Sequence, residues 1–278
     1  MLLSDFEKKF LNLLNEKKTC LCIGLDPALP RQRSENVISL KYLGSGSENE
    51  ARLNYCLDII EETRDYCIAA KPNQQYVFGF TKQEHQSLTS RIRDSHMLSI
   101  LDYKLNDIGQ SIESAIFHLA ECGYDAITFN PLPGNLEETV KTAHGPVRKS
   151  RGFELGIIVL TLMSNPEAEK YMKTARIGSN SLFQTIAKDV KEYEADGCVV
   201  SASGYVTEDD IKNVRKIVGE EKVFLTPGIG TQGGDLGKII RAGGRNILIN
   251  VGREIIYSPN PRKRAEEYCT TINKIRNK

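Results

Sequence analysis

The stretch Met97-Leu-Ser-Ile-Leu101-Asp102-Tyr-Lys104-Leu-Asn-Asp107-Ile108 places three charged side chains directly after an apolar run. The run from Met97 to Leu101 predicts a buried strand. Because side chains alternate along a strand, Asp102 and Lys104 should share one side, roughly 7 Å apart along the backbone. These charges could form a solvated turn with an incidental salt bridge. The preceding apolar run instead favours the mouth of a core, where charges are costly and usually functional.

Similar apolar segments alternate with helical patterns along the rest of the chain. The other segments begin near Cys20, Cys67, Asp125, Leu155, Gly197, Val223 and Asn246. Helices are predicted at about 2–17, 49–65, 81–95, 108–122, 134–144, 179–193, 207–218, 233–242 and 260–276. Eight strands alternating with helices predict an α/β fold, a (β/α)8 TIM barrel. An open doubly wound sheet is the competing fold, but the first strand is not followed by the Gly-x-Gly-x-x-Gly typical of its dinucleotide-binding members.

Length and composition favour one barrel domain over residues 1–278, with an N-terminal helix and a long loop at about 28–48. Lys and Arg number 37 against 36 Asp and Glu, so the net charge of +1 gives no support for nucleic-acid binding. No apolar run approaches the roughly 18 residues of a membrane span, which predicts no membrane partner. The N-terminus mixes acids and bases in an amphipathic pattern that is not typical of a signal peptide.

The seven cysteines are odd in number and scattered, and several lie inside apolar runs. This pattern predicts reduced thiols in a cytoplasmic protein, and neither a disulfide framework nor a zinc site. The four histidines lie in helical or loop segments, and no set of His, Asp and Glu has metal-ligand spacing.

Polar residues recur where the predicted strands end, and in a barrel these ends share one mouth. They include Asp26, Lys71, Asn73 and Ser164, each of which by itself could be a cap or a surface residue. The seventh strand runs into Thr226-Pro-Gly-Ile-Gly230-Thr-Gln232-Gly-Gly234, and the eighth ends in Gly252-Arg253. These glycines could be present only because the chain makes tight turns here. On two adjacent last strands, however, they predict a phosphate site, with Arg253 as a charged clamp.

Asp102-Tyr-Lys104-Leu-Asn-Asp107-Ile108 resembles the D-x-K-x-x-D-I signature of the orotidine 5'-phosphate decarboxylases. Other motifs of that family are similar to Gly24-Leu-Asp26-Pro, Lys71-Pro-Asn73, Leu162-Met-Ser164, Pro227-Gly-Ile-Gly-Thr-Gln232 and Gly252-Arg253. They span residues 24–253 in the expected order, and the long loop after Asp26 resembles the longer branch of the family. One departure is Gly109-Gln110-Ser111, where many relatives have Pro and Thr.

The resemblance implies decarboxylation of orotidine 5'-phosphate to UMP in de novo pyrimidine synthesis, without metal or cofactor. It implies catalytic roles for Lys104, Asp102, Asp107 and Lys71. It further implies substrate contacts from Asp26, Asn73, Ile108, Ser111, Ser164, Pro227, Gln232, Gly252 and Arg253. It also implies a homodimer in which Asp107 reaches into the partner's site.

Three other functions stay open on the sequence. A Schiff-base aldolase on the same barrel would use Lys104 or Lys71 as its nucleophile. A sugar-phosphate decarboxylase would need magnesium. A non-catalytic nucleotide-binding barrel would need no intact set of charges, so the presence of that set argues against it.

Overall fold

The computed structural model describes residues 3–44, 46–230 and 234–277. Within these residues, eight parallel strands close into a barrel, and each hydrogen-bonds to its neighbours in chain order. The first strand pairs with the last, with Leu21 opposite Ile249. The strands are Leu21–Leu25, Ala69–Pro72, Leu98–Leu105, Ala126–Phe129, Gly156–Leu162, Gly197–Val200, Val223–Thr226 and Ile247–Val251. The predicted (β/α)8 barrel is confirmed.

Helices follow the strands and cover the outside of the barrel. The α-helices are Asp5–Lys17, Glu48–Thr63, Gln74–Val77, Lys82–Asp94, Gly109–Glu121, Leu136–His144, Pro146–Arg151, Leu182–Glu192, Glu208–Val218, Leu236–Ala242, Arg253–Ile256 and Pro261–Arg276. Several begin at capping boxes, in which an N-cap hydroxyl and a side chain three residues later each accept a backbone N–H. Ser4 with Glu7 and Thr207 with Asp210 are two such boxes. They start these helices at Asp5 and Glu208, inside the predicted ranges.

The segments between elements contain structure that the hydrophobic pattern did not predict. In the 28–48 segment, Leu29 and Ile38 are buried and Leu40–Tyr42 forms a 3-10 helix. After the fifth strand come a π-helical turn at Lys170–Thr174 and a hairpin of two-residue strands, Arg176–Ile177 with Asn180–Ser181. These pieces are too short to show a period of their own in the sequence.

The helix Asp5–Lys17 covers the amino-terminal end of the barrel. Its Phe6 packs against Gly156, where a Cβ would lie 2.8 Å from the Phe6 ring. Its Glu7 accepts a hydrogen bond of 2.9 Å from Lys222, which immediately precedes the seventh strand. Both of these charged side chains are under 5% exposed. The helix therefore closes the end of the barrel opposite the strand termini that carry the predicted site.

Replacing Lys222 with methionine should lower the free energy of unfolding by about 3 to 5 kcal/mol, because it leaves the Glu7 carboxylate buried without a cation. Urea denaturation measures this loss. Lys141, whose ion pair with Glu137 is exposed, provides a matched control: Lys141→Met should change stability little. A Lys222→Met protein as stable as the wild type would contradict the prediction. The double variant Glu7→Gln/Lys222→Met should recover part of the loss.

All seven cysteines are free thiols, and Cys122 and Cys269 alone among them are not fully buried. None of the helices in the described residues has the length and apolar character that a membrane crossing requires.

Candidate active site

A cavity of about 310 Å³ opens at the carboxyl ends of the barrel strands. The fold brings together there nine of the residues that the sequence predicted for the site. These are Asp26, Lys71, Asn73, Asp102, Lys104, Ser164, Pro227, Gly252 and Arg253. They come from six different strand ends, which lie far apart in the sequence and meet because the sheet closes.

Asp102 sits between two lysines at the base of this cavity. Its Oδ2 accepts a 2.6 Å hydrogen bond from Lys71 Nζ, and its Oδ1 accepts one of 2.6 Å from Lys104 Nζ. The side chain of Lys71 is 6% exposed and that of Asp102 is 15% exposed, whereas that of Lys104 is 48% exposed. Of the two lysines, Lys104 is therefore the one that a ligand in the cavity can reach more easily.

The two lysines determine the ionisation of Asp102. Burial by itself raises the pKa of this carboxyl, but Lys71 and Lys104 outweigh burial and hold its pKa well below the usual range. Burial likewise favours the neutral form of Lys71, yet Asp102 and Asp26 raise its pKa above the ordinary value. Asp102 is thus anionic and Lys71 cationic at neutral pH.

The ends of the first two strands form one wall of the cavity. The Asp26 carbonyl accepts a 2.6 Å hydrogen bond from the Tyr257 hydroxyl, which in turn accepts one from the backbone N–H of Ala28. The Asn73 side-chain oxygen accepts the N–H of Gln75 and so caps the short helix Gln74–Val77. Both side chains are carried by backbone that these bonds hold in place.

The last two strands form the adjoining wall, where the sequence predicted a phosphate site. Gly228 and Gly230 have φ angles of 90° and 88°, which favour glycine, and a Cβ on Gly230 would lie 2.7 Å from Glu254. Arg253 makes no ion pair with any residue that the structure describes. Its guanidinium is available to an anion. Gln232 lies outside the described residues.

A single chain does not bring Asp107, Ile108 and Ser111 to the cavity; all three are exposed. Asp107 Oδ1 accepts the N–H of Ile108, and the Asp107 carbonyl accepts a 2.8 Å hydrogen bond from the Asn135 amide. The strand ends at Leu105, so the chain has left the barrel before Asp107. Within one chain, the alternating charges therefore end at Lys104.

Among the described residues, no cluster of three or more His, Cys, Asp or Glu side chains could hold a metal ion.

A sequence model of the family described as "Orotidine 5'-phosphate decarboxylase / HUMPS family" matches residues 19–268. The chain belongs to this family. The resemblance that the motifs indicated is confirmed.

Individual relatives agree over most of the chain. An orotidine 5'-phosphate decarboxylase of Janthinobacterium sp. (strain Marseille) is 30% identical over 262 residues, which cover 91% of this chain and 90% of that protein. The solved structure of Leishmania donovani OMP decarboxylase has a TM-score of 0.74 at 26% identity and covers 97% of this chain and 99% of its own. Leishmania donovani UMP synthase has a TM-score of 0.75 at 27% identity, covering 99% of this chain, but this chain spans only 57% of that protein.

Two polar strand residues that line the cavity of this orotidine 5'-phosphate decarboxylase family member were not predicted, and neither was Asn165 after the fifth strand. Thr128 donates a 3.1 Å hydrogen bond to Asp102 Oδ1. Asn250, on the eighth strand, accepts a weak hydrogen bond of 3.6 Å from the Cys22 thiol. Each is a single polar residue near the carboxyl end of an otherwise apolar strand, and that position is the signal that could have identified them.

Proposed function

We propose that this chain decarboxylates orotidine 5'-phosphate to UMP, in de novo pyrimidine synthesis, without a metal or cofactor. The observation that carries the proposal is the line of charges Lys71–Asp102–Lys104 at the base of the cavity. Membership of the decarboxylase family supports it. We assign the reaction to the cytoplasm, because free thiols are the rule in reducing compartments.

Lys104 takes the central role in the proposed reaction. When the bond between C6 and the carboxylate breaks, CO2 leaves and the bonding electron pair stays on C6. The Lys104 ammonium stabilises this carbanion and then transfers a proton from Nζ to C6, giving UMP and a neutral amine that regains its proton from water.

Asp102 is proposed to act on the substrate carboxylate. A fixed anion beside that group disfavours the bound substrate, and the departure of CO2 relieves the repulsion. Lys71 keeps Asp102 ionised and in place, because its own ammonium is buried and bonded to Oδ2. Asp102 in turn orients the Lys104 ammonium toward the base of the cavity.

The remaining residues are proposed to bind the nucleotide. Asp26 and Asn73 contact the ribose, and Ser164 the amide edge of the pyrimidine. The phosphate is held by Gln232 and Arg253, with Pro227 and Gly252 beside them. Phosphate binding is remote from C6, so its free energy can be used to order the loops and exclude water from the reacting ring.

We also propose a homodimer whose cavities face each other. Three large apolar side chains are exposed after adjacent strands at the mouth: Phe78 is 78% exposed, Ile108 63% and Leu132 58%. We propose that these three side chains form one apolar patch, as is typical of an interaction site. Asp107 and Ser111 are close to Ile108 in the sequence. A partner chain that covers this patch would therefore bring its Lys104 close to Asp107 of the first chain.

The test of the function is the loss of orotidine 5'-phosphate absorbance in the ultraviolet, with EDTA present. The proposal requires UMP as product and a rate that EDTA leaves unchanged. Magnesium-dependent decarboxylation of a sugar phosphate, with no turnover of orotidine 5'-phosphate, would favour a sugar-phosphate decarboxylase, and a borohydride-trapped adduct on Lys104 or Lys71 would favour an aldolase. Binding of UMP with no turnover of orotidine 5'-phosphate would favour a non-catalytic nucleotide-binding barrel.

Replacing Arg253 with alanine should weaken UMP binding by about 1.5 to 3 kcal/mol, the usual worth of hydrogen bonds to a charged group. Calorimetry with UMP and with uridine measures the effect, and uridine should bind the variant and the wild type alike. Arg262, an exposed arginine paired with Asp65 outside the cavity, is the control for loss of a positive charge. If uridine affinity falls as much as UMP affinity, Arg253 is not a phosphate ligand.

A further inference from the structure

The backbone that carries Lys104 is irregular, contrary to the simple alternation expected from the sequence. Leu101 pairs with Ile127 and Leu105 with Phe129, so four steps along the third strand oppose two along the fourth. Lys104 itself has a φ of 56°, in the left-handed region that residues with a side chain seldom adopt. Asp102 and Lys104 therefore meet at 2.6 Å through a bulge, not through an undisturbed strand.

A bulge leaves backbone groups without partners from the neighbouring strand, and left-handed backbone persists only where other contacts hold it. The N–H of Lys104 finds its partner in a side chain. It donates a 2.9 Å hydrogen bond to Thr128 Oγ1 on the fourth strand. In a regular ladder of strand hydrogen bonds, a backbone carbonyl would accept this N–H in place of the Thr128 hydroxyl.

The same hydroxyl also contacts the charged residue. Thr128 Oγ1 donates its proton to Asp102 Oδ1 at 3.1 Å, and Oδ1 is also the oxygen that accepts from Lys104 Nζ. Thr128 is 1% exposed, so water does not compete for these bonds. One hydroxyl thus joins the backbone of Lys104 to the carboxylate that orients the Lys104 ammonium.

We infer that Thr128 is a positioning residue for the decarboxylation proposed above: its hydroxyl holds the Lys104 backbone and the Asp102 carboxylate in the arrangement that aims the ammonium at the reacting carbon. The inference rests on the proposed function. A methyl group in place of the hydroxyl would free the Lys104 N–H and remove one donor from Asp102, with almost no change of volume.

The test compares Thr128→Val with Thr128→Ser. Thr128→Val should lower kcat roughly 10- to 100-fold, as for a lost hydrogen bond to a charged group, while UMP affinity changes by less than about threefold. Thr128→Ser keeps the hydroxyl and should retain kcat within about threefold of wild type. A loss of kcat without an equal loss of UMP affinity, restored in Thr128→Ser, is a result that a purely structural role would not give.

Thr161→Val is the matched control, because Thr161 is a fully buried barrel threonine whose hydroxyl bonds the Val159 carbonyl. Thr161→Val should keep the kcat and the UMP affinity of the wild type. If Thr128→Val fails to fold, Thr128→Ala takes its place with the same expected outcome. A folded Val or Ala variant with wild-type kcat overturns the inference. The inference is also overturned if Thr128→Val and Thr128→Ser lose kcat, UMP affinity and thermal stability to the same extent as each other. Such a result would mean that Thr128 contributes to stability alone.

Wild-type turnover is measured first and separates this inference from the function on which it rests. A wild-type protein that does not decarboxylate orotidine 5'-phosphate overturns both together. An active wild type with an unaffected Thr128→Val overturns the positioning role and leaves the function intact.

Discussion

Replacing Lys104 with alanine should lower turnover of orotidine 5'-phosphate by several orders of magnitude and leave the barrel folded. Lys104 is the half-exposed cation beside Asp102, whereas Lys71 is buried and committed to the other carboxylate oxygen. Without Lys104, neither the carbanion nor its protonation has a positioned ammonium. Single-turnover rates measured at saturating substrate report this loss directly.

The controls for Lys104→Ala separate chemistry from folding and binding. Lys141→Ala removes an exposed lysine from an outer helix and should keep the wild-type rate. Circular dichroism and UMP affinity should change little in Lys104→Ala, since the phosphate site lies at the ends of the last two strands, across the barrel from the third strand. A Lys104→Ala protein that keeps more than about a tenth of the wild-type rate, a barrier change under 1.4 kcal/mol, would disprove the proposed role.

Mixing two inactive proteins, Lys104→Ala and Asp107→Ala, should restore about a quarter of the wild-type activity. In the proposed dimer each site combines Lys104 of one chain with Asp107 of the other. A mixed dimer therefore has one site with both defects and one intact site. If the dimer is closed and two-fold symmetric, random pairing makes about half of the dimers mixed. One of the two sites in each mixed dimer works, so about a quarter of all sites are active.

The experiment requires dissociation and reassociation, with subunit exchange checked by differently tagged chains. Asp107 is exposed and makes no ion pair with a described residue of its own chain, so the proposal gives it a role only in the site of a second chain. If Asp107 serves its own chain, every site in the mixture carries a defect. Activity that stays at the level of the separate variants, with exchange verified, would exclude the shared site.

The sequence predicted the barrel because each element has its own physical signature. Short apolar runs such as Ile247–Val251 and capping pairs such as Thr207 with Asp210 mark strands and helix starts locally. The nine cavity residues could be predicted for the same reason: in a closed parallel sheet, the carboxyl end of every strand faces one mouth.

The features that could not be predicted depend on contacts between distant segments. The bulge at Lys104 needs a hydroxyl from the fourth strand, and nothing in the residues around Lys104 specifies that partner. The hairpin at Arg176–Ser181 is too short for a hydrophobic period. In the proposed dimer, the position of Asp107 relative to a working site depends on a second chain, which no pattern within one chain describes.

Lys71, Asp102 and Lys104 bear on which nucleotide analogue binds best. Within one chain their two ammonium groups and one carboxylate leave one positive charge, which Asp107 of a partner chain would balance in the proposed dimer. UMP has only hydrogen at C6 and makes no charged contact with Lys104. A UMP analogue with an anionic oxygen at C6 should bind more tightly than UMP or orotidine 5'-phosphate, because the oxygen can pair with Lys104 and there is no carboxylate to be repelled by Asp102.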